Sequence, residues 1–203
     1  GFLITIIVAR SFGAIGFGDF IKITAFVALF FLFIDFGLNA VYLQSQDKDD
    51  GDFKKIFYLR LLATLIIFIL VNIIAFFLPY NEALGLGFSP LVRLGIFIFS
   101  FSLFTQAIIV SSTAIFQKKF NYFPYFISFL LGSLANLLIV SIFSYLHYSI
   151  LYIVFSFVVS SILTSAAALF FVRKKIFPVT FDINYSKKIL VKSFPIGIML
   201  IFN

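Results

Sequence analysis

Residues 150–172 read ILYIVFSFVVSSILTSAAALFFV and contain no charged residue, no proline and no glycine. At about 1.5 Å per residue, a helix of this length crosses the hydrocarbon core of a bilayer. Arg173, Lys174 and Lys175 follow at once, so the apolar run stops where a polar interface would begin. Working outward, four more stretches are long enough to cross: Phe20–Leu43, Ile56–Leu78, Leu91–Phe116 and Phe120–Tyr145. Two partial runs, Phe2–Ala9 and Ile196–Phe202, lie at the chain ends. The sequence therefore describes an all-α integral membrane protein, multi-pass, with about six spans and the start of a seventh.

Composition closes off the alternatives. Hydrophobic residues make up 63% of the chain and charged residues 11%, too much apolar surface for a soluble fold to cover itself. The net charge of +7 needs no nucleic acid to explain it, because the basic residues fall in loops between spans. With no cysteine and one histidine, His147, disulfides and thiolate metal sites are excluded, and neither a metal nor a cofactor is expected. The 33 phenylalanines with no tryptophan read as a compositional bias. Gly1 opens directly into an apolar half-helix, Arg10-Ser-Phe-Gly13 is no signal-peptide cleavage site, and Asn203 stops about eight residues after Pro195. Half-helices leave backbone groups unpaired in lipid, so the natural protein is expected to be longer in both directions.

Loop charge sets an expected orientation. Twelve of the fifteen Lys and Arg residues, Arg60 counted among them, lie after the second, fourth and sixth spans; the other side has Arg10, Lys22 and Arg93. The positive-inside rule makes the richer side cytoplasmic, with Ser11–Asp19, Pro79–Pro90 and His147–Ser149 outward. The organisation expected is a helical lobe at 1–172, with its first helix incomplete. A cytoplasmic linker at 173–193 and the start of a seventh helix at 194–203 follow. The linker reads either as an interfacial segment against anionic headgroups or as a solvated connector.

Polar residues within spans are costly in lipid and are candidates for function. Asp35 is the clearest, about eight residues from the end of its helix and followed by Asn39 at i+4, with Thr24, Ala28 and Phe31 before it on the same face. It faces a cavity, pairs with a neighbouring helix or lies protonated against a hydroxyl. Arg10 is either an interfacial anchor or a cation at the outer mouth of a cavity, where its forked geometry suits phosphate. Ser102, Gln106, Thr113 and Gln117 share one helical face, and so do Gly132 and Asn136. Ser156, Ser160, Thr164 and Ala168 recur every four residues, which reads as close helix packing. Asn72 is isolated and expected to bond to a neighbouring helix. The acidic cluster at Asp47, Asp49, Asp50 and Asp52, interleaved with Gly51 and lysines, reads as a solvated turn rather than a metal site. No catalytic constellation is found.

Two stretches resemble a known family. Arg10-x-x-Gly13-x-x-x-Phe17-Gly18-x-Phe20 at the exit of a first helix, and Asp35-Phe-Gly37-Leu38 late in the second, are similar to recurring motifs of polysaccharide flippases. These are the O-antigen and capsule translocases of the MOP (MATE-like) transporter superfamily. Phe194-Pro195-x-Gly197 at the start of a seventh helix is also typical of them. Gly13, Gly16 and Gly18 would allow a tight turn between two spans within about nine residues.

The resemblance implies the N-terminal lobe of a MATE-like transporter in the bacterial inner membrane, working by alternating access. The substrate it implies is a lipid-linked oligosaccharide, usually on undecaprenyl diphosphate, moved at the expense of an ion gradient (H+ or Na+). On this chain it would give Arg10 to the diphosphate and Asp35 to ion coupling or ion-pair switching, and Asn39, Gln106, Gln117 and Asn136 to sugar hydroxyls. Membrane lipids are the only other partners implied. A multidrug antiporter of the same superfamily is the nearest rival; a membrane polymerase or glycosyltransferase is a more distant one.

Overall fold

The structure, a computed structural model, describes residues 2–44, 51–82, 86–176 and 182–202. Its helices are α1 (Phe2–Asp35), α2 (Leu38–Gln44), α3 (Gly51–Phe77), α4 (Pro90–Ser100), α5 (Ser102–Lys118), α6 (Phe123–Tyr145), α7 (Ile150–Ile176) and α8 (Ile183–Phe202). A two-residue hairpin, β1 (Tyr80–Asn81) against β2 (Leu86–Gly87), joins α3 to α4. Among the described residues, five helical segments are long and apolar enough to span a membrane. Each covers all or nearly all of one of the five long runs read from the sequence, and the first, Phe2–Gln44, also takes in the partial run Phe2–Ala9. The large apolar side chains left uncovered, such as Leu65, Ile66, Ile69, Ile73 and Phe76 on α3, lie outside the packed core. That is the surface expected where lipid is the solvent. The chain has the all-α architecture of a multi-pass integral membrane protein.

The turn between the first two spans is shorter than the glycine spacing suggests. Gly13 alone takes a left-handed φ (63°, ψ −170°), and helix resumes through Gly16 and Gly18. Ser11–Asp19, expected as an outward loop, is thus helical on both sides of one residue. The two arms nevertheless fold together, because Ile4 and Phe31 line the same cavity. A straight helix would hold them about 40 Å apart. One residue suffices because Gly, lacking Cβ, reverses the backbone at little steric cost.

A second break, at Phe36 (φ 38°) and Gly37 (φ 78°), separates α1 from α2. It forms a seat for α8: a Cβ on Gly37 would meet the Ser193 carbonyl oxygen at 2.8 Å, and one on Gly197 would meet the Phe36 ring at 2.7 Å. The Phe36 and Phe194 rings pack edge-on, with centroids 6.0 Å apart. The helix at this end begins at Ile183, eleven residues before the expected start at 194, and runs through Pro195. Asp182 caps it by accepting the Tyr185 N–H at 3.1 Å and ties it to α3 through Lys55 at 3.3 Å. Residues 177–181, within the expected linker, lie outside the described residues, as do Asp47, Asp49 and Asp50 and the side chain of Asp52.

The third apolar run is divided at Phe101. Around it, Ser100, Ser102 and Thr105 donate to carbonyls three residues back, at 2.7, 2.6 and 2.8 Å. Hydroxyls bonding back onto their own helix compete with its ladder and bend it. The bend lies at mid-span, where the cavity described below opens. At the Arg93 end, the hairpin is clasped by the cations of that side. Lys22 donates to Gly87 O (3.2 Å) and Arg93 to Leu78 O (2.6 Å).

Candidate functional site

A cavity of about 460 Å³ lies between α1, α4, α5, α6 and α7, at the middle of their spans. Most of its surface is apolar, from Phe20, Phe31, Phe99, Phe129 and Phe157 with Ile4 and Ile109, and between these walls stand hydroxyls and two amides, Gln106 and Asn136. Among the described residues, no ionisable side chain lines it. Asn136 is held in place by Ser156, whose Oγ donates to its Oδ1 at 3.3 Å. Thr105 on the bent span donates to Ser161 at 2.9 Å across the cavity rim. Most of the other lining hydroxyls donate to carbonyls of their own helices; Thr24, for example, reaches Phe20 O at 2.9 Å. Such hydroxyls keep acceptor lone pairs available to a ligand.

The serine and threonine repeat on α7 packs closely, as its spacing predicts, but that packing also shapes the cavity. A Cβ on Gly132 of α6 would collide with Thr164 Oγ1 and lie 3.1 Å from Ser160 O. The glycine lets the two helices touch there, and the hydroxyls that meet it also face the open space.

One helical turn beyond the cavity, towards the lysine-rich end, is a buried ion pair that sequence reasoning missed. Arg60 is completely buried, and its Nη2 donates to Asp35 Oδ1 at 2.8 Å and Asn39 Oδ1 at 2.7 Å. Its Nη1 donates to Ser111 Oγ, and its Nε to Ile34 O at 3.3 Å. Asp35 Oδ1 also accepts the Asn39 N–H (3.0 Å), capping α2, and Asn39 Nδ2 donates to Val110 O (3.2 Å). Four helices, α1, α2, α3 and α5, are knotted through one guanidinium. Its planar fork of five donors is what allows four partners at once.

Arg60 therefore does not belong with the loop cations of the lysine-rich side. Without it the count is eleven against three, and the bias keeps its sign. The signal was present: Arg60 lies four residues inside an apolar run, at a depth comparable to that of Asp35 and near the same end of the bundle. Two opposite charges at one depth in lipid call for each other. Asp35 thus pairs with a neighbouring helix, one of the three readings its position allowed, and its side chain keeps 27% exposure.

Of the residues the sequence singled out, Gln106 and Asn136 meet in the cavity. Asn39 is committed to Arg60 and Val110. Gln117, further along α5, does not line the cavity, nor does Arg10, which is exposed near the Gly13 turn. The polar face of the fourth span therefore divides, with Ser102 and Gln106 on the cavity and Gln117 beyond it. Asn72 bonds to a neighbouring helix as expected, donating to Ser100 Oγ at 3.1 Å.

A family model described as "Polysaccharide biosynthesis protein" matches residues 1–203. The chain belongs to this family. Its members, within the MOP superfamily, are generally transporters rather than enzymes. Membership gives the chain a role in polysaccharide synthesis or export, as a multi-pass membrane protein. No curated protein and no solved structure matches it.

Proposed function

We propose that this protein flips a lipid-linked oligosaccharide, carried on a polyprenyl diphosphate such as undecaprenyl diphosphate, across the bacterial inner membrane for surface polysaccharide (O-antigen or capsule) assembly. The observation that carries the reading is the mid-span cavity, lined by neutral hydroxyls and amides with aromatic walls and no ionisable group. Sugars offer hydroxyls and apolar ring faces, and this lining matches both. Its volume is that of an ordinary small-molecule site, on the order of 300–1,000 Å³. A cation antiporter would place a carboxylate in such a space; the one intramembrane acid that could do so, Asp35, is engaged by Arg60.

In this reading Gln106 and Asn136 hydrogen-bond sugar hydroxyls. The Asp35–Arg60 pair at the end of the cavity is the coupling element. Asp35 is the accessible partner, and H+ or Na+ arriving there would compete with Arg60 and loosen the joint between α1, α2 and α3. Arg10, exposed at the opposite end, is free of the cavity and suited to a diphosphate at the interface.

The test is translocation of a fluorescent undecaprenyl-diphosphate oligosaccharide in proteoliposomes, comparing the parent protein with Gln106→Leu/Asn136→Leu. Flipping by the parent and its loss in the variant, with folding intact, is the expected result. No flipping by the folded parent under either ion gradient and with several sugars would overturn the reading.

A further inference from the structure

A second cavity, of about 360 Å³, lies at the lysine-rich end of the bundle, where the α5–α6 turn meets the last turn of α7. Lys119, Lys174 and Lys175 line it together with Asn121, and no carboxylate does among the described residues. Beneath these cations the floor is apolar and tightly packed, with Phe116 and Val172 almost fully buried. On one side the wall is Phe171, which is about half exposed on the outer face of α7. The cavity is thus cationic at its rim, apolar at its base and open beside a lipid-facing ring.

The turn beside it is built to sit at an interface. Phe120 holds a left-handed φ of 52° and is 86% exposed, and Tyr122 and Phe123 are exposed next to it. Uncovered aromatics at the end of a span partition to the headgroup level. With Tyr122 at the headgroup level, the three lysines would lie near the plane of lipid phosphates. Several cations gathered at one cavity favour an anionic headgroup over a zwitterionic one, whose ammonium they would repel.

We propose that this cavity binds an anionic phospholipid, its phosphate held by Lys119 and Lys174 at the rim and an acyl chain lying along Phe171. The site is separate from the mid-span cavity and does not depend on the transport reading. Its consequence is that α5, α6 and α7 are clamped at one end by a lipid of the leaflet they face.

The experiment is a lipid titration of the purified full chain in mild detergent, followed by native mass spectrometry, with phosphatidylglycerol and phosphatidylcholine as probes. Phosphatidylglycerol should be retained in preference to phosphatidylcholine. K119Q/K174Q should weaken its binding by about tenfold or more, from the loss of two cations at an anionic headgroup. K119R/K174R should restore it, and K54Q/K187Q, which removes equal charge outside the cavity, should leave it unchanged. Equal loss in the two glutamine variants would overturn the site, as would equal retention of both lipids or undiminished binding in K119Q/K174Q. Displacement of the lipid by millimolar inorganic phosphate would overturn the lipid assignment in favour of a free anion. Because the arginine variant keeps the charge, a folding defect in the glutamine variant is separated from loss of the cations.

Discussion

The ion pair at Asp35 and Arg60 and the cavity at Gln106 and Asn136 are one helical turn apart, yet they treat polar atoms in opposite ways. At the pair, strong groups are closed on one another: four partners surround one guanidinium, and the arginine sees no solvent. In the cavity, weak groups are left open, and hydroxyls bonded to their own helices keep acceptor capacity facing empty space. The difference follows from cost. An unpaired charge in a low-dielectric interior is penalised far more than an unpaired hydroxyl, so only the neutral groups can wait for a ligand. Charge in this bundle serves as a joint between helices, and neutral polarity as the lining of a site.

The most severe way to break that contrast is Arg60→Leu, which strands Asp35 and frees Asn39 and Ser111 together. A loss of about 3–5 kcal/mol is expected in equilibrium unfolding in mixed micelles. The double variant Asp35→Leu/Arg60→Leu should recover a large part of it, since no uncompensated charge remains. If the double variant were as unstable as the single, the pair would not be acting as a unit.

Next in size is Gly37→Ala. The left-handed φ and the Ser193 carbonyl at 2.8 Å both oppose a methyl group, for a cost of about 1–3 kcal/mol. Because the chain lacks cysteine, a Phe36→Cys/Phe194→Cys pair reports the seat directly. Its cross-linking yield should fall when Gly37 is replaced. An unchanged yield would show that α8 is held by Lys55 and Asp182 instead.

A smaller effect is expected on the cavity side. Gln106→Leu removes one amide from the cavity lining, and stability should change by less than about 1 kcal/mol. Oligosaccharide translocation, by contrast, should drop several-fold. A stability loss matching that of Arg60→Leu would erase the distinction between joint and lining. Smallest of all is Arg10→Ala at an exposed position, with a stability change within about 0.5 kcal/mol. A slower translocation rate with normal folding would support a diphosphate contact outside the cavity, and an unchanged rate would remove Arg10 from the mechanism.

Much of the architecture was legible because lipid imposes a length rule. Each run of about 20 apolar residues had to be a helix, and all five long runs are. The amides at Gln106 and Asn136 were legible too, being polar in spans and on consistent faces. Arg60 was misread because its place near the end of a run made it look like a loop cation, and nothing in a one-dimensional reading measures how deep an end is. Gln117 was grouped with Gln106 because periodicity fixes a face and says little about how far along it a cavity extends.

Sequence alone thus determined the solvent of this protein, the number of its long apolar segments, and the sign of its charge bias. These depend on the cost of placing backbone and charge in hydrocarbon, which each segment meets by itself. Only the tertiary structure decided that a single residue, Gly13, turns the chain, that Asp35 finds Arg60, and that five helices enclose a neutral cavity beside that pair. Those outcomes depend on which helices approach one another and at what height, a property shared among segments far apart in the chain.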